Sequence, residues 1–380
     1  MEKSSKIYIA GHKGMVGSAI LRNLVSKGYT NFVFTPYPQY DLMNQKVVVD
    51  FFAKEKPEYV ILAAAKVGGI LANNTFRAQF IFENTMIQNN IIHSSYINGV
   101  KKLLFLGSSC IYPKKCPQPI KEEYLLTGEL EYTNEPYAIA KISGIKMCEA
   151  YNLQYGTNFI SVMPTNLYGP NDNYDLAHSH VLPAMIRKMH LGKCLENNNW
   201  DALRKDLKER PIGDVNENSS EEAIIEMLSS FGIKYSPLYA LRSTLSSLSS
   251  TLSAQSVSIS LWGTGSPYRE FLYVEDLADA CVYAMENVDF EDLRALCPVP
   301  CADLKNTHIN IGSGKDQPIL DLANLVKKII GFKGELLWDS TKPDGTPRKL
   351  LDVSKINKLG WKQKISLEEG IKMVYEKYVG

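Results

Sequence analysis

Three observations in this 380-residue chain predict an α/β fold, a doubly wound parallel sheet followed by a smaller carboxy-terminal α/β domain. Short β-branched or aromatic runs alternate with longer amphipathic stretches over roughly the first hundred residues, the pattern of strands covered by helices. A glycine-rich turn, Gly11-His12-Lys13-Gly14-Met15-Val16-Gly17, joins the first such run to the first amphipathic stretch. The texture then changes near residue 193, and sheet-like sequence resumes only after residue 256.

The elements follow in order. Lys6-Ile7-Tyr8-Ile9-Ala10 is the first strand, residues 15–27 a helix, and Phe32-Val33-Phe34 the second strand. Residues 46–55 are expected as a helix, 59–65 as a third strand, 78–99 as a long helix and 102–106 as a fourth strand. A helix carrying Tyr137 and Lys141 runs to about residue 155, and 158–164 is another strand. Residues 1–165, with a return segment at 258–290, are expected to form a nucleotide-binding domain; 166–257 and 305–380 form a second domain that includes an insertion at 193–256. The insertion contains two polar helical stretches, 200–209 and 221–231, and a serine-rich segment at 243–258. It reads either as a surface excursion or as a lid or oligomer contact. Helices are expected again at 319–330 and 366–378.

Composition narrows the function classes. Hydrophobic residues make up 45% and charged residues 22%, ordinary for a globular protein. Forty-two basic residues against 41 acidic ones give a net charge of +1, so no broad field attracts nucleic acid or an anionic membrane. No apolar run approaches the roughly 18 residues of a spanning helix, and Met1-Glu2-Lys3-Ser4-Ser5-Lys6 lacks the apolar core of a signal peptide, so a cytoplasmic location is expected. Seven cysteines, at 110, 116, 148, 194, 281, 297 and 301, are scattered and odd in number, unlike a disulfide framework. Cys297 and Cys301 lack partners at zinc-finger spacing, and no metal site is expected.

Glycines between a first strand and a first helix let the backbone turn tightly and let a pyrophosphate approach the helix amino terminus, a Rossmann-type arrangement for a dinucleotide. The second strand ends in Thr35-Pro36-Tyr37, with neither an acid for a ribose diol nor an arginine for a 2′-phosphate. Lys13 is the one nearby cation, and with the reductive chemistry below it favours NADP(H). His12 is expected to pack or touch phosphate, and His93 to be structural.

Tyr137 and Lys141 lie four residues apart on one helix face, where an ammonium can make a phenol acidic beside a nicotinamide. Ser108, at the end of the fourth strand, can hydrogen-bond the same carbonyl oxygen, so the set points to carbonyl reduction. Cys110, two residues further on, is either a small buried residue or a base that simple reduction does not require. Asn166 lies beyond the next strand.

These residues sit in longer runs. Gly11 to Ser18, Ala63-Ala64-Ala65-Lys66-Val67-Gly68-Gly69-Ile70, Gly107-Ser108-Ser109-Cys110-Ile111-Tyr112-Pro113, Asn134-Glu135-Pro136-Tyr137-Ala138-Ile139-Ala140-Lys141 and Pro164-Thr165-Asn166-Leu167-Tyr168-Gly169-Pro170 resemble the GDP-L-fucose synthases of the extended short-chain dehydrogenase/reductase superfamily. Ser179-His180-Val181, Trp262-Gly263-Thr264-Gly265, Arg269-Glu270-Phe271-Leu272 and residues 342–352 match as well. The resemblance covers most of the chain outside about 193–256 and 290–304.

It implies epimerisation at C3 and C5 of a GDP-linked 4-keto-6-deoxy sugar and NADPH-dependent reduction at C4, in a homodimer whose contacts are the helices 78–99 and 135–155. Carried over, Ser108, Tyr137 and Lys141 reduce, while Cys110 and His180 are the epimerisation acid/base pair. Gly11, Lys13, Gly14, Met15, Val16, Gly17, Tyr137, Lys141, Pro164, Asn166, Leu167 and His180 hold the cofactor. Val181, Lys188, Trp262, Arg269 and Lys342 hold the sugar nucleotide. The chain departs from the family at Lys13, Thr35 and Tyr37, where arginines are usual, and the insertion leaves room for a longer sugar such as a GDP-6-deoxy-4-keto-heptose.

Overall fold

The computed structural model describes residues 1–236, 256–296, 304–342 and 344–380. Cys297, Cys301 and most of the serine-rich segment lie outside them. In chain order the elements are β1 (Ile7–Ala10), α1 (Met15–Ser26), β2 (Phe32–Val33), α2 (Gln45–Glu55), β3 (Tyr59–Leu62), α3 (Ile70–Thr75), α4 (Arg77–Ile97), β4 (Lys102–Leu106), α5 (Glu135–Tyr155), β5 (Phe159–Pro164) and β6 (Asn166–Tyr168). Then come α6 (Val181–Glu196), α7 (Trp200–Glu209), α8 (Glu221–Ser230), β7 (Ile233–Ser236), β8 (Ser256–Trp262), β9 (Tyr268–Tyr273), α9 (Val274–Asn287) and α10 (Phe290–Ala295). The last are β10 (Ile309–Ile311), β11 (Asp316–Pro318), α11 (Ile319–Ile330), β12 (Glu335–Asp339), β13 (Arg348–Lys349), α12 (Ser354–Lys358) and α13 (Leu367–Val379).

One compact unit comprises residues 1–171, 269–316 and 348–370. Its sheet has the order β10-β5-β4-β3-β1-β2, parallel throughout. Strand periodicity divides β1 between two cores. Ile7 and Ile9 join the cluster under α1 and α9, whereas Tyr8 and Ala10 join the one under α2, α4 and α5. Ile7 and Ile9 each stabilise the fold by roughly 1.5–3 kcal/mol on burial. Asn44 caps α2 by accepting from the Val47 amide, and α5 begins with a proline in its first turn and ends at Gly156 in the left-handed region.

The second strand is one residue shorter than its sequence suggests, because Phe34 leaves the ladder to pack on the His12 ring, 4.4 Å between centroids. The first unit also claims more of the carboxy-terminal sequence than the pattern predicts. Residues 305–316 and 348–370, expected in the second domain, belong here, since β10 extends the parallel sheet beside β5 and Leu351 pairs with Ile120.

The other unit comprises residues 172–268, 317–347 and 371–380. Its sheet has the order β12-β8-β7, with β12 parallel and β7 antiparallel to β8, so the start of the expected return segment belongs here instead. The described part of the insertion is no surface excursion: Leu203, Leu207, Ile224, Leu228 and Ile233 are buried. A buried ion pair locks it in place. Arg187 on α6 meets Asp206 on α7 at 2.9 Å and donates to the carbonyls of Tyr174 and Arg210, while the Tyr378 hydroxyl donates to the same aspartate. Breaking such a pair from one side costs about 3–5 kcal/mol.

Among the described residues no helix is long and apolar enough to cross a membrane, and no group of three or more His, Cys, Asp or Glu is placed to hold a metal ion.

Candidate active site

In the first unit the glycine turn fits a dinucleotide. Gly11 sits at φ +84°, and a Cβ there would lie 2.7 Å from the Ala64 amide; one at Gly17 would collide with the Gly11 carbonyl. Gly14 is the N-cap of α1 with no side chain capping it, and a Cβ there would meet only the Gly11 carbonyl oxygen at 3.5 Å. The uncapped amides at this helix end form a cradle for a pyrophosphate. Lys13 is exposed beside it. The Thr35 hydroxyl, by contrast, is buried against the Tyr8 hydroxyl at 2.8 Å. Pro164 is the last residue of β5, and Thr165 then donates its amide to the Ile311 carbonyl. Asn166 spends its side-chain NH2 on the Glu270 carbonyl at 2.8 Å, leaving its Oδ1, and Leu167 follows it in β6, paired with β9.

The carbonyl end is built where β4 ends. Ser108 is extended, caps the single turn Ser109–Ile111 and accepts from the Cys110 amide at 3.4 Å. Its hydroxyl also lies near enough to the Tyr137 phenol and the Cys110 thiol to oppose the rise that burial gives each of them. Helix α5 reaches this point because Gly144 permits close approach to Phe105, where a Cβ would stand 2.5 Å from the ring, and because Gln88 of α4 donates to the Ala140 carbonyl. Phe80 closes on the Tyr137 ring edge-on at 6.1 Å.

Electrostatics here are those of a dry site. Burial pushes the Cys110 thiol up, opposed by the Lys349 ammonium, the Ser108 hydroxyl and Lys141. Lys141, only 3% exposed, is pushed down to about 8 by burial, with Cys110 acting the other way. The expected acidic phenol is not found in this arrangement. Burial, then the charge of Cys110, hold Tyr137 above its ordinary value, while Lys141 donates to the Leu106 carbonyl at 2.8 Å with its Nζ 5.8 Å from the phenol ring centre.

Lys349 is the residue the sequence reading missed. Burial lowers it, Cys110 raises it, Arg269 lowers it and Cys116 raises it, so this cation lies among groups already assigned to the site. Within an Arg-Lys dipeptide nothing but burial distinguishes it. Arg269, the substrate-binding candidate in this unit, lies on β9, against which β13 also pairs.

The remaining candidates belong to the second unit. His180 is the N-cap residue of α6 and Val181 its first residue, 39% exposed. Lys188, two turns along, is pushed down to about 8 by burial. Trp262 is 68% exposed, and Lys342 places its Nζ 5.5 Å from the indole ring centre, so these two come together.

A nucleotide turn, a strand-end serine and a tyrosine–lysine helix fit the class of nicotinamide-dependent enzymes that act on a carbonyl, and comparison with known proteins agrees. The model of the NAD dependent epimerase/dehydratase family matches residues 7–215 and 233–312, and the chain belongs to that family. Within it, the chain is 48% identical over 378 residues to GDP-L-fucose synthase 1 of Arabidopsis thaliana, covering 100% of this chain and 94% of the relative. A GDP-6-OMe-4-keto-L-xylo-heptose reductase from Campylobacter jejuni superposes with a TM-score of 0.86 at 46% identity, over 100% of this chain and 98% of the other. A GDP-D-glycero-L-gluco-heptose synthase from the same organism, solved in the presence of NADPH, gives 0.85 at 45%, over 100% and 99%.

Proposed function

We propose that this enzyme epimerises C3 and C5 of a GDP-linked 4-keto-6-deoxy sugar and reduces C4 with NADPH, in the cytoplasm, as a step of nucleotide-sugar biosynthesis for surface glycans. The observation that carries the reading is the Ser108 hydroxyl, which serves both the Tyr137 phenol and the Cys110 thiol. A ketone oxygen held by Ser108 and Tyr137 brings an adjacent carbon toward Cys110.

The Cys110 thiolate takes the proton from a carbon beside the ketone, and the electron pair moves onto the C4 oxygen, where Ser108 and Tyr137 stabilise the enolate. His180, by family position, returns a proton on the opposite face. In the reductive step the bound cofactor supplies hydride to C4. Tyr137 gives its proton to O4, and the Lys141 ammonium stabilises the phenolate left behind. Lys13 is the cation for a 2′-phosphate, since Thr35 is committed to Tyr8; the NADPH present in the 45% identical structure supports this choice. Val181, Lys188, Trp262, Arg269 and Lys342 are assigned to the GDP-sugar.

A homodimer is part of the proposal. Helices α4 and α5 expose Phe82, Ile97, Leu153 and Tyr155, and Tyr96 stacks on Tyr155 at 4.4 Å. Light scattering reads this, and a monomer contradicts it.

A second reading, C4 reduction of a GDP-6-deoxy-4-keto-heptose with or without epimerisation at C3, is favoured by the full-length likeness to two heptose enzymes. Both 4-ketones incubated in deuterated buffer without NADPH, then followed by NMR, decide between them. Deuterium at C3 and C5 that disappears in Cys110→Ser supports the first reading. Exchange at the wild-type rate in that variant removes Cys110 as the base. A heptose that shows no exchange at C5 in this incubation and is reduced once NADPH is added selects the second.

A further inference from the structure

Behind Cys110 lies a buried polar knot that neither the reduction nor the epimerisation uses. Tyr112, 4% exposed, donates its hydroxyl to Asn310 Oδ1 and meets His308 Nε2 at 2.9 Å. Asn310 is fully buried on β10, and its side-chain NH2 donates to the carbonyls of Ile120, at 2.9 Å, and Asp352, at 3.3 Å. Its backbone amide donates to Glu122 at 3.0 Å. One carboxamide therefore grips a residue two positions after Cys110 and a residue three positions after Lys349.

The strand that carries Lys349 is held on both sides of that residue. Arg348 forms a two-pronged pair with Asp316 at 2.6 and 3.0 Å. The Leu350 amide donates to Gln118, the Leu351 amide to the fully buried Glu270 carboxylate at 3.0 Å, and Ile120 exchanges backbone bonds with Leu350 and Asp352. Lys349 has little freedom to follow Cys110 if the cysteine turn shifts. A cation lowers a thiol's pKa only while it stays close, because the interaction falls with distance and is steep in a dry site.

We propose that Tyr112 and Asn310 are positioning residues for epimerisation: they clamp the Cys110 turn to the Lys349 strand, so that the thiolate forms beside its counter-cation. The inference rests on Cys110 being the base. Groups facing the thiol are Lys349 from β13, Lys141 and Tyr137 from α5, and the Ser108 hydroxyl; Glu122, Cys116 and His308 face Tyr112, and Arg269 and Cys116 face Lys349. None of these is altered in Tyr112→Phe, which keeps the ring in the core and removes only the hydroxyl.

The test is the pH dependence of Cys110 alkylation by iodoacetamide, read peptide by peptide by mass spectrometry, alongside C3/C5 solvent exchange and C4 reduction. Tyr112→Phe should move the alkylation midpoint up by about half to one unit and slow exchange at neutral pH by about 3- to 10-fold, with recovery at higher pH. Reduction of a ketone already in the product configuration should change less than about twofold. Lys349→Met should raise the midpoint further, and adding Tyr112→Phe to it should then have no effect. Asn310→Leu, close in shape and uncharged, releases Tyr112 and the Ile120 and Asp352 carbonyls together and repeats the measurement should Tyr112→Phe fold poorly. An unchanged midpoint, a parallel loss of exchange and reduction, or a Tyr112→Phe shift that persists without Lys349 overturns the clamp. Alkylation needs no substrate, so a failure of the Cys110 assignment, seen as exchange surviving in Cys110→Ser, is told apart from a failure of the clamp.

Discussion

The two groups of candidate residues live in opposite environments. Around Ser108, the Cys110 thiol and the Lys141 ammonium are buried, Tyr137 and Lys349 are half-buried, and Cys110 shifts the titration of the other three. Trp262 and Lys342, in the second unit, stand in solvent with the ammonium 5.5 Å from the indole ring centre. Charges in a dry site act strongly on a transition state, while solvated ones contribute modestly and similarly to bound substrate and transition state. The first group should therefore govern turnover and the second affinity.

The largest expected break comes from Tyr137→Phe. Reductive kcat should fall by about 10²–10⁴-fold while C3/C5 exchange, which keeps Ser108 on the enolate oxygen, slows far less. A loss below tenfold, measured by NADPH consumption in single turnover, assigns the proton to another group. Next comes pH. Lys141 sits near 8 because burial lowers it, so its ammonium is present below that value and lost above it. Reductive kcat at saturating substrate should decline as pH rises through about 8, and a profile flat to pH 10 would separate Lys141 from the phenolate. The smallest effect belongs to the solvated pair. Trp262→Ala or Lys342→Ala should raise KM for the GDP-sugar by about 5- to 10-fold, about 1 kcal/mol, with kcat within twofold. A fall in kcat equal to that of Tyr137→Phe would erase the contrast.

The same division governs how much could be read from sequence. β1, β3, β4 and α5 carry their own periodicity, and Tyr137 and Lys141 announce themselves by a four-residue spacing on one helix. β10 and β13, by contrast, are three and two residues long. No local pattern marks such strands; their places are set by partners far along the chain, Met163 of β5 beside Asn310 and β9 beside β13. Lys349 was invisible for the same reason, since a cation's role depends on burial that non-local pairing creates. The insertion misled by composition. Its helices are polar overall, but Leu203, Leu207, Ile224 and Leu228 form inward stripes that complete a core.

Arg187, Asp206 and Tyr378 bind α6, the insertion and the carboxy terminus into one knot. Chimaeras with relatives of different sugar preference should therefore exchange residues 172–236 together with 371–380 as one cassette. A crossover between them would part the Tyr378 hydroxyl from the buried Arg187–Asp206 pair it donates to, and a bulky carboxy-terminal fusion would strain the same joint.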